Sequence, residues 1–219
     1  HIQAALQSFS PRLRNNFVMG HPIAGSEKSG YAAATADLFV GRKVILTPDK
    51  DTSTHAVASI NQLWRSLGAD VLAMGVQKHD EVLAATSHLP HALAYAIVDV
   101  LISQDESDNI FRYAAGGFAD FSRLASSNPQ MWSDIFVANS EATEKVLNNY
   151  IERLIVLKNA IRNKDQDFLL QMFTRSKEAR DLFIQQHFNT TRLSAMTTKS
   201  MTFIVEPGGG ISGDARVPG

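Results

Sequence analysis

The segment His21-Pro22-Ile23-Ala24-Gly25-Ser26-Glu27-Lys28-Ser29-Gly30 gathers an imidazole, a carboxylate, an ammonium and two hydroxyls within ten residues. An imidazole titrates near pH 6.5, so His21 is the kind of group that accepts a proton at neutral pH. The segment follows Phe17-Val18-Met19, which reads as a strand, and loops at strand ends in α/β folds are where sites collect. A solvated turn with an incidental histidine is the competing account. Ser87 and His91 stand four residues apart, on one face of an otherwise apolar helix. There the competing account is a histidine satisfied by a backbone carbonyl. Arg123 closes Gly116-Gly117-Phe118-Ala119-Asp120-Phe121-Ser122-Arg123. The glycine pair lets another body approach the backbone closely, and a guanidinium grips a carboxylate through two parallel hydrogen bonds. An ion pair with Asp120 or Asp134 is the structural alternative.

Other patterns lead nowhere. Gly208, Gly210 and Gly213 have dinucleotide-fingerprint spacing, but that fingerprint needs a helix after it, and the six residues that follow, Pro218 among them, leave no room for one. A Gly-rich hairpin turn fits better. Gly25 to Gly30 has phosphate-loop spacing without the Lys-Ser/Thr that must follow. His88 and His91 could share a metal, yet no HExxH pattern or fixed carboxylate accompanies them and the chain has no Cys, so no metal is expected.

These groups must be held by elements, and the pattern changes along the chain. Up to about Gly75 short β-like runs flank one helix: Phe17–Met19, Lys43–Thr47 and Asp70–Met74 read as strands. Between the last two, Ala56, Val57, Ile60, Leu63, Trp64 and Leu67 repeat at helical spacing and stop at Gly68, which predicts a parallel strand–helix–strand unit. From His79 to about His187 helical periods take over. Val82 to Ile102 is apolar nearly all round, as a central buried helix would be, with Pro90 expected to kink or interrupt it. Asn128-Pro129 reads as N-cap and first turn of a helix whose apolar stripe runs from Trp132 to Ile155 and favours a dimer. The expected fold is thus α+β.

Composition narrows the partners. The 219 residues are 44% hydrophobic and 20% charged, with 21 Lys plus Arg against 22 Asp plus Glu, so bulk charge makes no case for nucleic acid or a membrane surface. The longest purely apolar run, Ala92 to Val98, is far below the ~20 residues of a membrane span. Residues 1–20 show no apolar signal segment, and zero Cys suits a reducing cytoplasm.

Four stretches, HPIAGSEKSG, ADLFVGRKVILTP, HDEVLAATSHLPHALAYAIVD and FRYAAGGFADFSRLASSNPQMWSDIF, together resemble prephenate dehydrogenase over about residues 15–187. The tail FIVEPGGGISGDARVPG resembles the opening of 5-enolpyruvylshikimate-3-phosphate synthase, which some bacteria fuse behind such a dehydrogenase. The resemblance implies three parts. Residues 1–76 correspond to the C-terminal fragment of a Rossmann-type nucleotide-binding domain, 77–190 to an all-α dimerisation and substrate domain, and 191–219 to a linker and the start of the synthase. It implies oxidative decarboxylation of prephenate to 4-hydroxyphenylpyruvate with NAD, or NADP, as oxidant, in a cytoplasmic homodimer.

By the same matching His21 is the catalytic base and Arg123 the carboxylate anchor. Ser87 and His91 lie beside the substrate side chain, and Gly116, Trp132, Ser26 and Glu27 form wall and rim. Ala119 stands where some relatives carry Lys, which leaves prephenate, arogenate or both as substrate. The family's GxGxxG fingerprint and acidic ribose ligand do not occur in residues 1–75, so the resemblance also implies that this chain alone lacks the main grip on the cofactor. A helical dimerisation module without chemistry is the alternative.

Overall fold

The structure, a computed structural model, describes residues 2–25, 30, 31, 34–104 and 111–188. Ser26, Glu27 and the synthase-like tail lie outside the described residues. The chain divides into two compact units: residues 2–24 with 39–76, and the helical residues from 77 onward, with which the connection Gly25–Leu38 groups.

The first unit opens with α1 (Ile2–Leu6) and α2 (Pro11–Asn16), followed by β1 (Gly20–Ile23), β2 (Lys43–Leu46), α3 (Thr54–Ser66) and β3 (Asp70–Ala73). The sheet order is β1-β2-β3; β2 and β3 are parallel, and β1 is an antiparallel edge with His21 opposite Ile45. Val44, Leu46, Ala69 and Val71 are buried together, with Ile60, Phe39 and Trp64 packed on them, so the apolar face of α3 closes one side of the sheet. The helix starts where Ser53 accepts a hydrogen bond from the Ala56 N–H at 3.1 Å. It ends at Gly68, whose φ of +82° suits glycine, and where a Cβ would sit 3.1 Å from Val40.

The first strand starts later than the pattern of Phe17–Met19 suggests. Phe17 closes α2, its carbonyl accepts from the Thr52 hydroxyl, and the Met19 carbonyl accepts from the Thr47 N–H at 2.9 Å, so ladder pairing begins only at Gly20. Pro22 has no N–H to donate, which an edge strand tolerates.

The second unit is helical throughout its described residues: α4 (Val76–Leu83), a π turn (Ala84–His88), α5 (Leu89–Ile102), α6 (Gly116–Ser122), a 3₁₀ turn (Arg123–Ser126), α7 (Pro129–Ala138), α8 (Ser140–Asn163) and α9 (Gln166–Phe188). Pro90 does not break the helix. It cannot return a hydrogen bond to the turn before it, and the helix widens there instead, with the Leu89 N–H reaching five residues back to the Ala84 carbonyl. Side chains serve carbonyls around the turn: Thr86 Oγ1 donates to Val82 at 2.7 Å and Asn139 Nδ2 to Asp80 at 2.9 Å.

Two expectations about this unit fail. The stripe from Trp132 to Ile155 is not one helix, because Asn139 (φ −117°, ψ 41°) leaves the helical path between α7 and α8. Nor is the helix around Pro90 buried on most sides: Ile97, Val100 and Ile102 are exposed, and the span Val76–Ile102 is long and apolar enough to cross a bilayer by length and composition.

Candidate active site

His21 sits on β1 itself rather than in the loop after it, so its backbone position is fixed by the ladder to Ile45. The residue is exposed. The other described candidates, Ser87, His91, Gly116, Arg123 and Trp132, all belong to the helical unit.

There the π turn and the first turn of α5 present His91 to Trp132. The two rings stack with centroids 3.6 Å apart and an interplanar angle of 21°. Trp132 is brought in by α7, whose start is capped by Asn128 Oδ1 accepting from the Met131 N–H at 3.0 Å, and it is 6% exposed, packed also on Phe136. Among the described residues its buried indole N–H meets no hydrogen-bond acceptor. An unpaired buried donor costs about 1–3 kcal/mol, so this atom favours any acceptor that enters.

His91 Nδ1 lies 2.9 Å from the Ser87 carbonyl. A carbonyl only accepts, so Nδ1 carries the proton and Nε2 is left as an acceptor. Partial burial pushes the His91 pKa below its ordinary value; the hydrogen bond to Ser87 opposes this, and the positive charge of Arg123 adds to it. The alternative of a histidine satisfied by backbone therefore describes one nitrogen of the ring and leaves the other for chemistry.

Arg123 begins the 3₁₀ turn after α6 and is exposed. Tyr95 holds this turn to α5 by donating its hydroxyl to the Ser127 carbonyl at 2.8 Å. Gly116 starts α6, and a Cβ there would meet nothing within 4 Å, nor would one at Gly117. Packing among the described residues does not demand either glycine. The arrangement on this unit is a cation, a neutral imidazole acceptor and a buried indole donor, suited to a small aromatic or alicyclic acid.

Asn139 and Thr143 escape a reading of spacing, and His88, read there only as a possible metal partner of His91, has a different setting. His88 is buried edge-on to Trp132, with Nδ1 3.2 Å from Thr143 Oγ1 and 3.3 Å from Asn139 Nδ2. An Asn inside an apolar helical stripe was the one available signal.

Residues 2–73 match the family description "Prephenate dehydrogenase, nucleotide-binding domain", and residues 76–175 match "Prephenate dehydrogenase, dimerization domain". A cyclohexadienyl dehydrogenase of Zymomonas mobilis is 38% identical over 180 residues, 81% of this chain and 61% of that protein. The crystal structure of prephenate dehydrogenase from Aquifex aeolicus with hydroxyphenyl propionate and NAD+ superposes with a TM-score of 0.73 at 41% identity, covering 77% of this chain and 59% of that one. Synechocystis arogenate dehydrogenase gives 0.70 at 27% identity, covering 78% and 63%. The chain thus spans about three fifths of the length of each of these relatives.

Proposed function

Because the chain belongs to the prephenate dehydrogenase family, we propose that it is the catalytic portion of a dehydrogenase that oxidises prephenate, or its amino analogue arogenate, at ring carbon 4 with loss of the ring carboxylate. The observation that carries this reading is the stacked His91–Trp132 pair beside the charge of Arg123. Arg123 grips a carboxylate of the substrate. Where the substrate is arogenate, His91 Nε2 accepts a hydrogen bond from its ammonium group, and Trp132, Ser87 and Gly116 form the wall beside the substrate side chain. His21 takes the proton of the 4-hydroxyl as that carbon becomes a carbonyl. Loss of the ring carboxylate as carbon dioxide then leaves its electron pair to complete an aromatic phenol. Ser26 and Glu27 are assigned to the rim.

NAD, or NADP, supplies the hydride acceptor when bound. Support comes from the nucleotide-binding match of residues 2–73 and from the NAD+ in the Aquifex aeolicus structure. The described residues do not fit its pyrophosphate. The strand-to-helix turn between β2 and α3 carries Asp49 and Asp51, and the helix start behind it is closed by Ser53. The steps above are therefore those of this chain's own groups.

The same proposal places the protein in the cytoplasm as a homodimer, fused through residues 191–219 to a 5-enolpyruvylshikimate-3-phosphate synthase. A helical dimerisation module without chemistry is the second reading, with the dimerization-domain match of residues 76–175 behind it. Substrate-dependent NADH formation, followed at 340 nm with prephenate and with arogenate in a protein that joins this chain to a complete nucleotide-binding domain, separates the two. No reduction with either substrate supports the module.

A further inference from the structure

A π turn gives up regular backbone hydrogen bonding and persists where its surroundings over-determine it. Here those surroundings come from the corner between α7 and α8. The Asn139 amide has two protons: one reaches the Asp80 carbonyl at 2.9 Å, before the turn, and the other faces His88 Nδ1 at 3.3 Å, at its end. Thr143, buried one helical turn further along α8, brings Oγ1 to 3.2 Å from the same Nδ1. An amide NH₂ can only donate, so His88 Nδ1 accepts, and the neutral ring of His88 carries its proton on Nε2. His91 has the opposite tautomer, because its Nδ1 faces the Ser87 carbonyl. Contacts run without a gap from Asn139 to His88, from His88 edge-on to Trp132 at 6.1 Å, and from Trp132 face-on to His91.

We infer that Asn139, backed by Thr143, is a positioning residue: it ties α4 before the π turn to the turn's last residue, His88, and so fixes the ring orientation and tautomer in which His91 offers Nε2 to a ligand. The assignment rests on the proposed role of His91, but the clamp itself is tested without substrate or cofactor.

The test is ¹⁵N NMR of the histidine rings in the 219-residue chain near neutral pH, for the unaltered protein, Asn139→Ala and Thr143→Val, with circular dichroism to establish helicity. The unaltered chain should show His91 protonated on Nδ1. In Asn139→Ala the ratio of the Nδ1–H to the Nε2–H form should fall by about fivefold or more, the weight of roughly one hydrogen bond. Thr143→Val should shift it in the same direction by less. An unchanged His91 pattern in folded Asn139→Ala overturns the clamp. Should Asn139→Ala not fold, Thr143→Val decides, since it removes only a hydroxyl, and an unchanged pattern there overturns it equally. A shifted tautomer in a protein that later proves inactive on prephenate supports the clamp and counts against the functional reading alone.

Discussion

His91 is kept an acceptor by influences of unequal size and sign, and this has a consequence for stability. Burial and the Arg123 charge lower its pKa in the fold, while the unfolded chain keeps the ordinary value of 6.5. Below that pH the unfolded state binds the proton more readily, so this contribution to stability is fully present above pH 6.5 and is lost as pH falls through the folded pKa. In urea titrations the midpoint should fall on acidification from pH 7 to 5, and His91→Asn should flatten that slope; an identical slope in the variant would remove His91 as its source. Arg123 should act through binding. A bidentate carboxylate contact exists in ground and transition states alike, so Arg123→Ala should raise KM by about 10- to 100-fold with kcat little changed, and Arg123→Lys should recover part of it. Steady-state kinetics with flat KM in both variants would make Arg123 structural.

At the level of elements, what could be read from the sequence was what repeats. The parallel β2–α3–β3 unit follows from a helical apolar stripe between two β-branched runs, with Ser53 and Gly68 marking its ends. The helical half follows from periodicity, and the Asn128 cap from its residue type. What escaped was decided by single hydrogen bonds. The start of β1 depends on where the Met19 carbonyl finds its donor, and the break at Asn139 on an amide captured by Asp80, fifty-nine residues away in sequence. Pro90 signalled trouble in its helix, but whether a proline kinks, ends or widens a helix depends on which side chains take up the released carbonyls. At the site, spacing put Ser87 and His91 on one face and could not place Trp132 against them. His88 carried no signal beyond a possible metal pair with His91, while its Nδ1 is engaged by Asn139 and Thr143.

For the whole molecule, the uncovered surface is the informative feature. Among the described residues, Val100 and Ile102 on α5, Ile151, Leu154, Ile155 and Ile161 on α8, and Leu170 and Phe173 on α9 are exposed large apolar residues. Residues 76–175 match a dimerization domain, and in the proposed homodimer a second copy would cover part of this surface. Light scattering should give twice the 24.0 kDa chain mass, independent of concentration in the micromolar range; a steady 24 kDa species would contradict the dimer. The proposed role of His21, on the edge strand, is to take the proton of the substrate's hydroxyl. The most direct measurement is the initial rate of prephenate-dependent NADH formation by His21→Asn beside the unaltered enzyme, both with a complete nucleotide-binding domain. The account predicts a loss in kcat of about 10²- to 10⁴-fold with KM nearly unchanged, the usual worth of a positioned base. Turnover within a few-fold of the unaltered enzyme would contradict it.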